Sequence, residues 1–222
     1  MSLFSKIKNL IKFLLGEPRI APTSGKTLLY IWIKEDLKNF KGDLGVDFGG
    51  GTMQNKKYFA TKKYVCVDST KSELDKGLIE NPDAIAVNMK MQDYMKKNLK
   101  EKADFLLCVQ TMGSNYYFQH NETFETIKQM YFFLKPGGNM VFNIGITDKS
   151  LNELKDQIVE FFNKKFQSLD VRDYGDFDIA PKKPSWPVII LFYAYLMKIF
   201  FPFRNLFNSK KNKIYFVCKN KL

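Results

Sequence analysis

Three consecutive glycines, Gly49, Gly50 and Gly51, follow a short apolar run and an acidic residue, Asp47, and precede a segment that can be helical. A strand, a tight turn and a helix start in that order make a ligand cradle. Glycine accepts positive φ and lets a ligand lie directly on the backbone, while the free N–H groups of the next helix face it. The chemistry that suits this stretch is the binding of a nucleotide-like cofactor. A dinucleotide fingerprint, G-x-G-x-x-G, counted from Gly49 would need its third glycine where Gln54 stands. A carboxylate two residues before the first glycine is of no use to a pyrophosphate. It matches a ligand with a cationic amino-acid end.

A second carboxylate, Asp68, closes the apolar run that starts at Tyr64 and lies 17 residues beyond Gly51. At the carboxyl end of the strand next to the glycine turn, it can accept two hydrogen bonds from a ribose diol. The alternative is a plain helix N-cap around Asp68 to Thr70. Leu134 to Gly138, Leu-Lys-Pro-Gly-Gly, reads as a helix stopped by Pro136 and a glycine hinge into a further strand.

Together these stretches resemble the class I S-adenosylmethionine-dependent methyltransferases over roughly residues 41–146. Their first motif, D-x-G-x-G-x-G, appears as Asp47, Gly49 and Gly51, with Met53 where the family often has its last glycine. Asp68 stands where the family carries its ribose acid, and Leu134 to Gly138 resembles the turn before its fifth strand. The resemblance implies S-adenosylmethionine as cofactor, held by Asp47, Gly49, Gly50, Gly51 and Asp68. It also implies Asn88 near the adenine, on whose ring Met89 can pack; Gln110, at the end of the fourth apolar run, is read as a further cofactor-binding residue of the pocket. The loop after the fourth strand, Thr111 to Tyr117, would face the transferred methyl group, with Asn115 and Tyr116 toward the substrate. Methyl transfer is an in-line displacement, so the first requirement is to hold the nucleophile at near-attack distance. An oxygen nucleophile also wants a base, and His120, the one histidine of the chain, is the candidate; a surface or capping histidine is the alternative. The N-P-P-Y tetrapeptide of amino-methylating nucleic-acid enzymes is absent.

The elements that must position these residues alternate between strand and helix patterns, which calls for a parallel sheet covered on both faces. The expected helices are 26–41, 90–99, 122–134 and 151–166. The expected strands include 64–68, 84–88, 104–110, 140–144, 169–174 and 214–219. The expected fold is a Rossmann-like three-layer α/β/α sandwich around a seven-stranded, mostly parallel sheet whose last strand is antiparallel. Thr23 to Thr27, Thr-Ser-Gly-Lys-Thr, is not a phosphate loop, since G-x-x-x-x-G-K-[ST] would need glycine at Ile20.

Two segments lie outside that frame. For residues 1–22 the spacing of Phe4, Ile7, Ile11 and Leu14, with Lys6, Lys8 and Lys12 among them, predicts a basic amphipathic helix followed by a linker. The resemblance implies a methyltransferase domain over residues 23–222, interrupted at about 176–212 by a hydrophobic insertion. Within it, Trp186 to Phe207 holds one lysine, Lys198, among apolar and aromatic residues, with lysines at both flanks. Because the last strand must return to the sheet, the expectation is an in-plane or re-entrant membrane helix rather than a span; a helix packed on the protein or at a dimer contact is the alternative.

The 35 Lys and Arg against 23 Asp and Glu give a formal charge of +12, which favours an anionic membrane surface or nucleic acid as partner, although an AT-rich genome would also produce it. Cys66, Cys108 and Cys218 sit in apolar runs with no metal-ligand spacing, so they read as buried thiols in a reducing, cytoplasmic setting with peripheral membrane contact. The expected function is O-methylation of a small-molecule, saccharide or lipid-linked acceptor near a membrane surface. RNA methylation is a second reading, less favoured for want of an RNA-binding module, and a non-catalytic binding protein on the same fold is a third. Oligomeric state has no signature in the sequence.

Overall fold

The computed structural model describes residues 23–38, 40–112, 120–145, 150–175, 187–199 and 213–222. Contacts divide the chain into two compact units, one of residues 37–173 with 212–222 and the other of residues 1–36 with 174–211.

The first unit carries the sheet. Its strands are β1 (Lys41–Phe48), β2 (Ala60–Asp68), β3 (Ile85–Asn88), β4 (Ala103–Met112), β5 (Leu134–Gly145), β6 (Phe166–Tyr174) and β7 (Lys213–Lys221), in the order β3-β2-β1-β4-β5-β7-β6. Neighbours β3, β2, β1, β4 and β5 are parallel, while β7 runs antiparallel to β5. Side chains alternate between the faces, which gives two packing problems. One face presents Val46, Phe48, Val65, Leu106, Phe142 and Phe216, all buried. The amphipathic helices α3 (Met91–Lys97), α4 (His120–Phe133) and α5 (Ser150–Phe162) cover it through Tyr94, Ile127, Met130 and Phe162. On the other face α2 (Lys71–Glu80) lays Leu74 against Tyr64 and Cys66. The three layers are those expected.

Several boundaries differ from expectation for local reasons. The stretch Leu134 to Gly138 is not a hinge before β5 but its first part. Leu134 already pairs with Ala103, and the register then slips, β5 advancing to Asn139 while β4 advances only to Phe105, with Gly137 at φ 74° in the bulge. Helix α5 stops at Phe162 rather than running to Phe166, because Lys164 turns left-handed at φ 62°, the usual way to end a helix.

The second unit contains α1 (Ser24–Leu37), up to Asp36, and α6 (Pro187–Ile199). Leu28 to Ile33 are buried on every side of α1, as befits a helix apolar all round. Trp32 meets Tyr174 edge to face at 5.6 Å, and Lys198 pairs with Glu35, which gives the one lysine of the Trp186–Phe207 stretch a counter-charge. Helix α6 is 13 residues long, roughly 20 Å at 1.5 Å per residue. None of the described helices is long and apolar enough to cross a membrane. The amphipathic segment expected within residues 1–22, and the rest of the insertion, lie outside the described residues.

Candidate active site

The strand order places β1 between β2 and β4, so connections leave in opposite directions at the middle of the sheet. Open α/β sheets bind ligands at such a point, beyond the carboxyl ends of the strands. A cleft of about 280 Å³ opens there, lined by Gly49 from the loop after β1, Asp68 to Thr70 after β2, Met89 to Gln92 after β3, Gln110 and Thr111 of β4, and Glu122 of α4.

The glycine loop is held at both ends. Gly49, at φ 69°, donates its N–H to the Val67 carbonyl at 2.8 Å, and a Cβ on it would stand 2.1 Å from Thr111 Oγ1. Gly51, at φ 51°, donates its N–H to Asp68 Oδ2 at 3.0 Å. A Cβ built on Gly51 would make ordinary contacts, with Asp68 Oδ2 at 3.9 Å and Glu73 Cβ at 4.0 Å, so it is the positive φ rather than crowding that favours glycine here. Asp68 Oδ1 accepts the Thr70 N–H at 2.8 Å, while the cap of α2 is Thr70, not Asp68. Each oxygen of Asp68 keeps lone pairs for a further donor.

The remaining expected residues separate into three groups. Met89 and Gln110 line the cleft with Gly49 and Asp68. Asn88 does not: its Nδ2 donates to the Asp68 carbonyl at 3.1 Å, beside the Met89 N–H at the same distance, so its amide fastens β3 to β2. Asp47 lies beneath the loop, against Gly50. Asn115 and Tyr116 are outside the described residues, and His120 opens α4 with a side chain that is likewise not described.

Asp47 is fully buried. Its Oδ2 accepts the Tyr64 hydroxyl at 2.9 Å and Asn55 Nδ2 at 3.2 Å, whereas its Oδ1 has no hydrogen-bond partner. A Cβ on Gly50 would come within 2.6 Å of Oδ2, so glycine is needed for the loop to lie this close. Burial pushes the Asp47 carboxyl up to about 7, against the two hydrogen bonds, and the charge of Asp68 adds to the rise.

Met53, at the position where the resembled motif has its last glycine, keeps a glycine-like backbone, at φ 58°. Its side chain is buried with Tyr64, Cys66 and Leu74, facing Gly77 of α2. The left-handed conformation costs a methionine on the order of 1 kcal/mol, which burial of its side chain offsets.

Three contributors stand outside the expected cofactor-binding set: Thr111 is expected only as the start of the loop facing the transferred methyl group, and Glu122 and Asn143 are not expected at the site at all. Thr111 packs on Gly49, Glu122 brings a carboxylate to the cleft from α4, and buried Asn143 of β5 accepts the Gln110 N–H at 2.6 Å. That bond holds Gln110 left-handed, at φ 59°, in a bulge where β4 advances from Cys108 to Met112 while β5 advances from Phe142 to Ile144. Thr111 adjoined Gln110 and could have been read with it; Glu122 and Asn143 carry no local signal. All three cysteines are free and buried, and burial pushes their thiols up, away from nucleophilic use. No group of potential metal ligands occurs among the described residues.

No family model and no curated protein matches the chain. Solved structures match it closely in architecture. A Streptococcus mutans protein described as a SAM-dependent methyltransferase aligns over 85% of this chain with a TM-score of 0.58 and 15% identity. The fold is that of the class I methyltransferases. This chain spans 48% of that protein's length. The N-methyltransferase NodS of Bradyrhizobium japonicum, in complex with S-adenosyl-L-homocysteine, aligns over 89% of this chain and 85% of its own at a TM-score of 0.54 and 11% identity. An rRNA methylase of Streptococcus thermophilus aligns over 89% and 97% at a TM-score of 0.50 and 14% identity. At such identities the likeness is one of fold. The methyltransferase fold accounts for the antiparallel β7 and for the cleft above β1, β2 and β4.

Proposed function

We propose that the chain is an S-adenosylmethionine-dependent methyltransferase. The observation that carries this reading is the hydrogen bond from Gly51 N–H to Asp68 Oδ2, which ties the glycine loop to a carboxylate that lines the cleft. A glycine backbone and a partly exposed carboxylate, joined at the switch point, suit a nucleoside whose ribose diol donates to Asp68 and whose chain lies along the loop. The cleft volume of about 280 Å³ lies just below the range of about 300–1,000 Å³ usual for small-ligand sites. When bound, the cofactor supplies an electrophilic methyl group on its sulfonium. The protein's part is then positioning: Asp68 holds the ribose, Met89 offers an apolar face to the base, and Gly49 and Gly51 admit the ligand to the backbone. Gln110, Thr111 and Glu122 border the end of the cleft beside β4, with His120 assigned, on sequence grounds, to take a proton from an acceptor hydroxyl.

The acceptor reading is O-methylation of a small-molecule, saccharide or lipid-linked compound at a cytoplasmic membrane surface. Its support is the charge of +12 together with the apolar insertion, of which α6 exposes Phe192 and Ile199. RNA methylation is the second reading, favoured by the same charge and by the fold shared with the rRNA methylase. Isothermal titration with S-adenosylmethionine, S-adenosylhomocysteine and NAD tests the cofactor. Binding of both adenosyl ligands but not NAD is expected, and no binding of either would leave a non-catalytic protein on this fold. Lipid flotation with anionic vesicles against a gel shift with RNA then separates the two acceptor readings.

A further inference from the structure

Asp47 is the one described carboxylate that is wholly buried, and its surroundings are neutral or negative. From β2 it faces Tyr64, Cys66 and Asp68, from the loop Asn55, and from β4 Cys108. Among the described residues no lysine, arginine or histidine pairs with it. Both neutral donors that reach it, Tyr64 Oη and Asn55 Nδ2, converge on Oδ2. Oδ1 is left without a donor, and so is the buried Oδ1 of Asn55, whose amide is already hydrogen-bonded to Asp47. A proton on Asp47 Oδ1 converts one of these two unmatched acceptors into a donor and removes an unpaired buried charge. The same carboxylate lies directly beneath Gly50, close enough that a Cβ there would collide with it. Any cation resting on the loop therefore acts on Asp47 through a thin, water-poor layer, where an opposite charge favours the ionised form.

We propose that Asp47 is a positioning residue that carries a proton on Oδ1 while the cleft is empty and releases it to solvent when the cationic methionine end of the cofactor lies on the glycine loop. The inference rests on the cofactor reading above and adds a proton to its binding equilibrium. Asp47 thus does not touch the ligand. It acts through the loop, and its ionisation is driven by the charge that the ligand brings. The raised carboxyl, near 7, puts this exchange in the physiological range.

The test is titration calorimetry of the full chain with S-adenosylmethionine between pH 6 and 8.5, in buffers of different ionisation enthalpy. The wild type is expected to release close to one proton per ligand at the acid end and none at the alkaline end. Its affinity should rise with pH by up to about tenfold per unit below the titration, the slope of a single linked proton. Asp47→Asn should lose this release and the rise in affinity between pH 6 and 7, keeping only the pH dependence of the ligand's own α-ammonium, which titrates at about 7.7–8.0. Tyr64→Phe, which removes a donor from the ionised carboxylate, should move the midpoint of release upward. Zero release from the wild type, or equal release from Asp47→Asn, overturns the proposal. Should Asp47→Asn fail to fold, an unmoved midpoint in Tyr64→Phe overturns it alone. A wild type that binds no adenosyl ligand at any pH sinks the cofactor reading, and this one with it.

Discussion

Two aspartates on neighbouring strands, Asp47 near the end of β1 and Asp104 near the start of β4, are held in opposite ways. Asp104 sits at the amino end of the sheet, where its Oδ2 accepts the N–H groups of Asp43 at 3.0 Å and Leu44 at 2.8 Å. Lys135 Nζ reaches both of its oxygens at 2.9 Å. Partial burial works against its charge, but the Leu44 N–H, Lys135 and the Asp43 N–H outweigh it and hold the carboxyl below the ordinary range. Asp47, at the carboxyl end, receives only two neutral donors and is pushed up. The same end of the sheet holds Gly49, Gly51, Met53 and Gln110, all at positive φ. One end of these strands is built to be satisfied, and the other keeps strain and unmatched polar atoms where a ligand can use them.

If that contrast is right, the largest effect on ligand binding comes from the carboxyl end. Asp68→Ala should weaken S-adenosylmethionine binding by about 100-fold, the loss of two charge-assisted hydrogen bonds, while leaving thermal unfolding within a few degrees of wild type. Calorimetry paired with a melting curve checks both halves, and an unchanged Kd removes Asp68 from the site. Asp104→Ala should do the reverse. It should cost about 2–3 kcal/mol in denaturant titrations and leave cofactor affinity within about twofold. A loss of affinity as large as that of Asp68→Ala would erase the contrast.

The two aspartates also predict pH dependences of opposite sign. Asp47 titrates higher in the folded chain than in the unfolded one, so its contribution to stability is full below about pH 4 and is lost as pH rises to about 7. Asp104 titrates lower when folded, so its contribution is present above the unfolded value and fades as pH falls through the folded one. Asp47→Asn should therefore gain about 2–4 kcal/mol over wild type at pH 8 and close to nothing at pH 4, measured by urea unfolding. A gain equal at both values would mean that Asp47 is ionised throughout. The smallest effect is expected from Lys135→Met, below about 1 kcal/mol, because the Lys135 ammonium is partly exposed and the backbone N–H groups remain on Asp104. A larger loss would assign Asp104's stability to the ion pair instead.

What could be read in the sequence was whatever depends on neighbours along the chain. The apolar runs of β1, β2 and β4, the glycines at 49 and 51 and the acid at Asp68 announce themselves because pleat alternation and left-handed turns constrain residue types locally. The expectation that Asp47 meets the ligand's amino end came from the same local logic. It could not include Tyr64 and Asn55, whose hydroxyl and amide occupy Oδ2 only after β2 and the following turn fold against β1. Glu122 and Asn143 reach the site from 11 residues or more beyond Thr111, and nothing in their own surroundings marks them. The β5 boundary was misjudged because Pro136 and Gly137 look like punctuation, whereas the sheet absorbs them in a bulge.

Helix α2 contains an inversion of a familiar engineering rule. Replacing an interior helical glycine with alanine usually gains about 0.5–1 kcal/mol, so Gly77 would head any list of stabilising substitutions. Here an added methyl would stand 2.8 Å from Met53 Cγ and 2.9 Å from the Thr52 carbonyl carbon, with no flexible tip to swing aside. The helix would have to lift off the loop, and a library screened for heat tolerance would discard the variant that propensity tables rank first.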